Sequence, residues 1–177
     1  MKHFFILLTL IGITLPVLTH AEKSDQRSPV LIESNKMEYD ENKQISTFTG
    51  NVTITQGSLY LQADKVVITK DSAGYQFAQL FGNINRPALF KQKRDGGSDL
   101  WVEGQAERIE YNNKQDLVQL FSKALLKRLD NTKIIDQIEG DFISYNQRTE
   151  FISVHNNQNK NRSDTNRVKV VIQPITP

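Results

Sequence analysis

The sequence predicts an all-β protein in which two long sheets face each other as an elongated sandwich. Three observations predict it: apolar residues recur with a period of two, one strand template repeats along the chain, and turn residues fall at hairpin spacing. In a strand, successive side chains point to opposite faces, so a period of two gives each segment one apolar face. Such a face cannot be buried by one strand pair alone; it must be covered by stacked neighbours. Stacking at about 4.8 Å per strand builds a long sheet, and two of them close on each other.

The first segment stands apart from this pattern. Met1-Lys2-His3 is followed by the uncharged run Phe4–Leu18 and by Thr19-His20-Ala21. This is the charged, apolar and small-residue sequence of a secretory signal, with cleavage expected after Ala21. Fifteen residues of helix reach about 22 Å, short of the roughly 30 Å hydrocarbon core. Residues 1–21 are therefore read as a cleaved signal peptide and 22–177 as one domain outside the cytoplasm.

The strands follow in order. Phe48, Gly50, Val52 and Ile54 share one face, with Thr47, Thr49, Thr53 and Thr55 on the other. Leu59, Leu61 and Ala63 repeat the pattern after the turn Gly57-Ser58, and Val66-Val67-Ile68-Thr69 is β-branched throughout. Turns are expected at 40–42, 71–74, 95–98, 112–113 and 131. The template itself occurs at Asn35-Lys-Met37-Glu-Tyr39, Asp64-Lys-Val66-Val-Ile68, Glu107-Arg-Ile109-Glu-Tyr111 and Asp141-Phe-Ile143-Ser-Tyr145. Each copy has a polar residue and then two large apolar residues at i+2 and i+4. A second element follows three of them: Phe48-Thr-Gly50-Asn-Val52, Leu80-Phe-Gly82-Asn-Ile84 and Leu120-Phe-Ser122-Lys-Ala124. Residues 117–129 taken alone fit an amphipathic helix, with Leu117, Leu120, Phe121, Ala124, Leu125 and Leu129 on one side. Their alignment with Ala78–Ile84, which ends in Gly-Asn, favours a strand. Residues 156–167 contain no apolar residue and read as a polar loop before a last strand at 168–173.

Composition removes most chemistry. There is no cysteine, which excludes disulfides, thiolate metal sites and a cysteine nucleophile. A net charge of +2 is too small to indicate nucleic-acid binding. With His3 and His20 in the signal, His155 is the one histidine left, beside the polar tract, where a solvated role is expected. No nucleophile elbow, zinc-protease helix, phosphate loop or calcium loop occurs. No catalytic residue, metal site or cofactor is therefore expected, and the protein is not read as an enzyme. Asp64, Glu107 and Asp141 recur at one template position, which is the pattern a secreted carbohydrate-active β enzyme would need. The plainer reading is that a polar residue marks the corner where each strand begins. Lys123, Lys127, Arg128 and Lys133 form a mild basic cluster, by default solvated surface.

Phe48–Gly57 followed by Ala63–Thr69, together with Pro29–Ser34, Arg86–Gln92 and Val102-Glu-Gly104 leading to Tyr111, resembles the OstA family of periplasmic lipopolysaccharide-transport proteins. The resemblance runs from about residue 29 to 154 and is looser where Ser122-Lys123 stands in place of Gly-Asn. It implies an elongated β-jellyroll open at both ends, of about 14–16 antiparallel strands. It also implies a periplasmic carrier that binds lipopolysaccharide, associated with both membranes through its partners. Those partners would be other copies of itself joined head to tail, the inner-membrane ABC-transporter complex with its LptC-type jellyroll, and the outer-membrane LptD-type translocon. On this basis Val30, Ile32, Phe90 and Tyr111 are expected to contact lipid, with Ile109 beside Tyr111; alternation adds Ile54, Leu61 and Ile68. Strand edges for partner pairing are expected at 29–34 and 168–173, through Leu31, Val168, Val170 and Ile172. A ligand-free periplasmic scaffold is the other class the sequence leaves open.

Overall fold

Long segments of alternating apolar residues broken by short turns can satisfy their backbone only by pairing with each other, and they do so in a meander. The computed structural model describes residue 25 and residues 27–97, 99–156 and 167–174. The expected signal, residues 1–21, and most of the polar loop lie outside the described residues. Twelve strands occur among the described residues: β1 (Leu31–Glu33), β2 (Lys36–Asp40), β3 (Ile45–Gln56), β4 (Leu59–Lys70), β5 (Gln76–Phe81), β6 (Ala88–Lys93), β7 (Leu100–Ala106), β8 (Arg108–Asn112), β9 (Leu117–Asp130), β10 (Lys133–Asn146), β11 (Phe151–His155) and β12 (Lys169–Ile172). Every pairing is antiparallel.

The pairing divides into two ladders of the same order. One runs β2-β3-β4-β5-β8-β9-β10-β11 and the other β1-β3-β4-β6-β7-β9-β10-β12. The long strands β3, β4, β9 and β10 belong to both, one half in each layer. The chain thus makes eight V-shaped strokes stacked along an axis, some continuous and some split at the bend. The twelve strands among the described residues are fewer than the roughly 14–16 expected; counted by layer, with each long strand contributing to both, they give sixteen segments. Segment 117–129 is a strand, β9. Its apparent helical periodicity arises because the outward-facing Leu117, Phe121 and Leu125 are apolar as well as the inward Leu120 and Ala124.

The bends explain the repeat. Gly50 and Asn51 have φ of 84° and 48°, and Ser122 and Lys123 have φ of 64° and 55°. Two consecutive left-handed residues turn the strand into the next layer as a bulge. The first template position sits opposite: the Asn35 N–H donates to the Gly50 carbonyl and the Glu107 N–H to the Ser122 carbonyl, each at 3.0 Å. The corner reading of the polar position is thereby explained. Ser and Lys occupy the second bend less comfortably than Gly and Asn would. Replacing Ser122-Lys123 by Gly-Asn is expected to raise stability by about 1 kcal/mol, read as a higher melting temperature.

The template's apolar positions fall into continuous rows across the strands. Met37, Phe48, Val66, Leu80, Ile109, Leu120, Ile143 and Val154 are consecutive cross-strand partners through one whole layer. Tyr39, Ser46, Ile68, Ala78, Tyr111, Val118, Tyr145 and Ile152 form the parallel row beside it. In the other layer Ile32, Ile54, Leu61, Phe90, Gly104, Leu126, Ile138 and Val170 do the same. The middle members of all three rows lie in one buried cluster, so these are the faces the two layers turn toward each other. Eight strands at about 4.8 Å make each row roughly 34 Å long.

Candidate functional site

The interior between the layers is the site the sequence proposed, and its residues can be placed one by one. Ile32, Ile54, Leu61 and Phe90 are consecutive members of a single row. Ile68 and Tyr111 share a second row and Ile109 lies in the third. Seven of the eight expected lining residues therefore face inward, on strands from the first stroke to the fifth. Val30 precedes β1 and stands at the mouth, 41% exposed. There a cavity of ≈ 260 Å³ is lined by Val30, Ile32, Tyr39, Gln44, Ser46, Phe48, Ile68, Lys70 and Gln76. Deeper in, Leu80, Ile109, Leu120 and Phe90 are packed to 1% exposure or less. The apolar interior is continuous but filled, and anything entering it must part the layers.

Both ends of the stack are unpaired. Among the described residues, β1 and β2 pair only with β3, and β11 and β12 only with β10. Hence each inward row ends in an exposed apolar side chain at one end and a half-buried one (Val154, Ile152 or Ile32) at the other. Met37 (53%) and Tyr39 (52%) close the rows at the amino-terminal end, and Val170 (52%) and Ile172 (74%) face inward at the other. Of the expected edge residues, Leu31 lies on β1 pointing outward opposite Thr55, and Val168 immediately precedes β12. The sequence reading missed that each end has two edges. The alternation Ile152-x-Val154 marks β11, and the first template copy at 35–39 has no earlier copy to pair with.

Charge enters the interior at defined points. Arg128 and Asp136 are cross-strand partners facing inward near the carboxy-terminal end, and both guanidinium Nε contacts are at about 3 Å. Asp136 is 5% exposed, and its hydrogen bond holds the Arg128 pKa above its ordinary value against the opposing effect of partial burial. The expected basic cluster is thus not one patch: Arg128 turns in, while its strand neighbour Lys127 turns out. The three template carboxylates sit on the bends. Asp64 is held by Arg86 Nη2 and by Asn83 Nδ2, each at 3.0 Å, and the backbone N–H of Asp141 donates to Asn156 Oδ1 at 2.7 Å. These are corner contacts between neighbouring strokes. His155 lies on the outer face with its ring 4.6 Å from that of Phe142.

Residues 31–151 match the family described as LptA/(LptD N-terminal domain) LPS transport protein. The chain belongs to this family. The match begins at β1 and ends at the first residue of β11, so it takes in nearly the whole meander. Among curated relatives, the lipopolysaccharide export system protein LptA of Escherichia coli K12 is 35% identical over 137 residues, covering 77% of this chain and 69% of the relative. LptA of Haemophilus influenzae is 34% identical, over 77% of this chain and 76% of its own length. The export system protein LptH of Pseudomonas aeruginosa is 25% identical over 85% and 82% of the two chains. The crystal structure of LptH, described as the LptA-homologous periplasmic component of the lipopolysaccharide transport device, aligns with a TM-score of 0.73. It covers 85% of this chain and 99% of that one at 24% identity, which establishes the shared fold.

Proposed function

We propose that this protein is a periplasmic carrier and bridge for lipopolysaccharide, shielding lipid A acyl chains between its layers during transport from the inner to the outer membrane. The observation that carries the proposal is the set of three inward rows, apolar but for Ser46, that run through eight strokes and leave apolar side chains exposed at both ends of the stack. Each CH₂ kept from water is worth about 0.8 kcal/mol, so a twelve-carbon chain exposed in an aqueous compartment costs roughly 10 kcal/mol. An apolar face about 34 Å long is long enough to hold extended acyl chains without any catalytic group. The chain carries no nucleotide-binding loop, so the work of transport comes from its partners. Its mature start follows the signal at 1–21, and its open ends join head to tail with other copies and with the jellyrolls of the inner-membrane LptC-type and outer-membrane LptD-type components.

The test is chemical. A photocrosslinker at Ile32, Ile68 or Tyr111 is expected to trap purified lipopolysaccharide at several times the yield of one at Thr53 or Gln62, whose side chains point outward on the same strands as Ile54 and Leu61. Equal yields at inward and outward positions would refute the assignment. The same comparison at Val30, Ile54, Leu61, Phe90 and Ile109 maps how far the lipid penetrates.

A further inference from the structure

The V shape gives the interior one closed side and one open one. Along the bends the layers are continuous backbone; opposite, the hairpins of the two layers form a pair of lips. One lip carries the β2–β3, β4–β5, β8–β9 and β10–β11 turns, and the other carries the β3–β4, β6–β7 and β9–β10 turns.

These lips are tied to each other. Arg94, just past β6 in one layer, makes a two-point ion pair with Glu150 in the β10–β11 turn of the other: Nε–Oε1 is 3.1 Å and Nη2–Oε2 is 2.6 Å. Arg94 is enclosed, its side chain only 10% exposed. Beside it, Gln147 Nε2 donates to Gln92 Oε1, again from one layer to the other. Gln92 is 3% exposed and donates in turn to Asp25 Oδ2 at 3.1 Å, and Asp25 accepts from the Ser58 N–H at 2.8 Å. The tied hairpins lie three strokes apart in the stacking order, brought together by the twist of the sheets.

A glycolipid whose acyl chains lie inside and whose sugars stay in water is itself a bond between interior and exterior. It leaves through the seam between the lips, and as it moves along the axis it sweeps that seam. Any tie across the seam crosses its path. We propose that Arg94–Glu150 and Gln92–Gln147 form a latch that each passing glycolipid must open, and that these four residues control passage of lipids bearing an external headgroup. This rests on the carrier function proposed above. An ion pair and amide contacts suit such a latch, because each partner regains water when parted. A lipid with no large headgroup has nothing to draw through the seam and is indifferent to the latch.

The chain has no cysteine, so two can be introduced and addressed alone. In the Arg94→Cys/Glu150→Cys variant the ion pair of the latch is absent and only the Gln92–Gln147 contact is left; a short bismaleimide then bars the seam in the same folded sample. A photocrosslinker at Leu100, whose carbonyl accepts from the Arg94 N–H, reports lipid beside the latch. With purified lipopolysaccharide, the unlinked variant is expected to label at least threefold more than a chain with the latch intact, and linking to cut that yield at least tenfold. Lauric acid, labelled in parallel, is expected to be unchanged by linking. Glu150→Gln, which keeps the shape and removes the charge, should also raise lipopolysaccharide labelling. Lipopolysaccharide yields unaffected by the linker would overturn the latch while leaving the carrier standing. A linker that depresses lauric acid equally would overturn it too, as simple obstruction. If neither lipid labels the unlinked variant, the carrier reading falls and the latch with it.

Discussion

Gly82→Ala is expected to destabilise the protein by about 3 kcal/mol. An added Cβ would lie 2.4 Å from Ala88 N, 2.5 Å from the Arg86 carbonyl oxygen and 2.7 Å from Pro87 C. All three are backbone atoms, and none can rotate away. The crossing they belong to, residues 82–87, is itself fastened: Asn83 Oδ1 accepts from the N–H groups of Asn85 and Arg86, and the Asn83 N–H donates to the Arg86 carbonyl at 2.9 Å. Gly50 offers the contrast. Its Cβ would meet Asn35 Nδ2 at 2.6 Å, a side chain that can move, so the cost there is mainly that of φ +84°, about 1–2 kcal/mol. For a domain of this size 3 kcal/mol lowers the melting temperature by roughly 6–12 °C. Thermal unfolding followed by circular dichroism decides it; a shift no larger than that of Gly50→Ala would contradict the rigid-crossing account.

The same glycine shows why the repeat was legible in the sequence. Gly82, Gly50 and Ser122 occupy one position of the second element because each marks the bend of a stroke, and a bend restricts backbone more tightly than packing restricts side chains. Likewise Tyr39, Ile68, Tyr111 and Tyr145 hold one row because strand pairing fixes register, and a slip of one residue would turn the row outward. Alternation was therefore enough to place Ile54, Leu61 and Ile68 inside. It was ambiguous in β9, where Leu117, Phe121 and Leu125 are apolar on the outward face and complete a helix-like pattern with the inward Leu120 and Ala124.

The seam was not legible for a different reason. Arg94 and Glu150 are 56 residues apart and Gln92 and Gln147 are 55 apart, at hairpins that stack three strokes from each other. Nothing local distinguishes them from solvated loop residues, since their encounter depends on the accumulated twist of the whole sheet. Asp25 is similar: it precedes the first strand, yet it is buried against Ser58 and Gln92. Long-range polar contacts of this kind follow from the assembled geometry and not from any pattern along the chain.

End-to-end association is expected to weaken roughly a hundredfold in Val170→Asp/Ile172→Asp. Both residues face inward at the carboxy-terminal end, 52% and 74% exposed, and a second copy stacked on that end would cover them with its β1, whose Ile32 continues the row of Val170. Covering such a side chain fully is worth about 1.5–3 kcal/mol, and two half-covered ones give about 3 kcal/mol, or two orders of magnitude in affinity. Light scattering across a concentration series measures the loss, and an unchanged profile would reject these edges as the contact. The two ends are different surfaces, so the proposed contact between copies would be heterologous and would grow open filaments. That makes a sharper outcome available. The variant keeps an intact amino-terminal end, so it can still add to the carboxy-terminal end of a native filament but cannot itself be extended. Added in small proportion to native protein, it should shorten the filaments out of proportion to its amount. An isologous contact, with one patch on each copy meeting its own twin, would instead leave native assemblies untouched, because a damaged patch would join nothing.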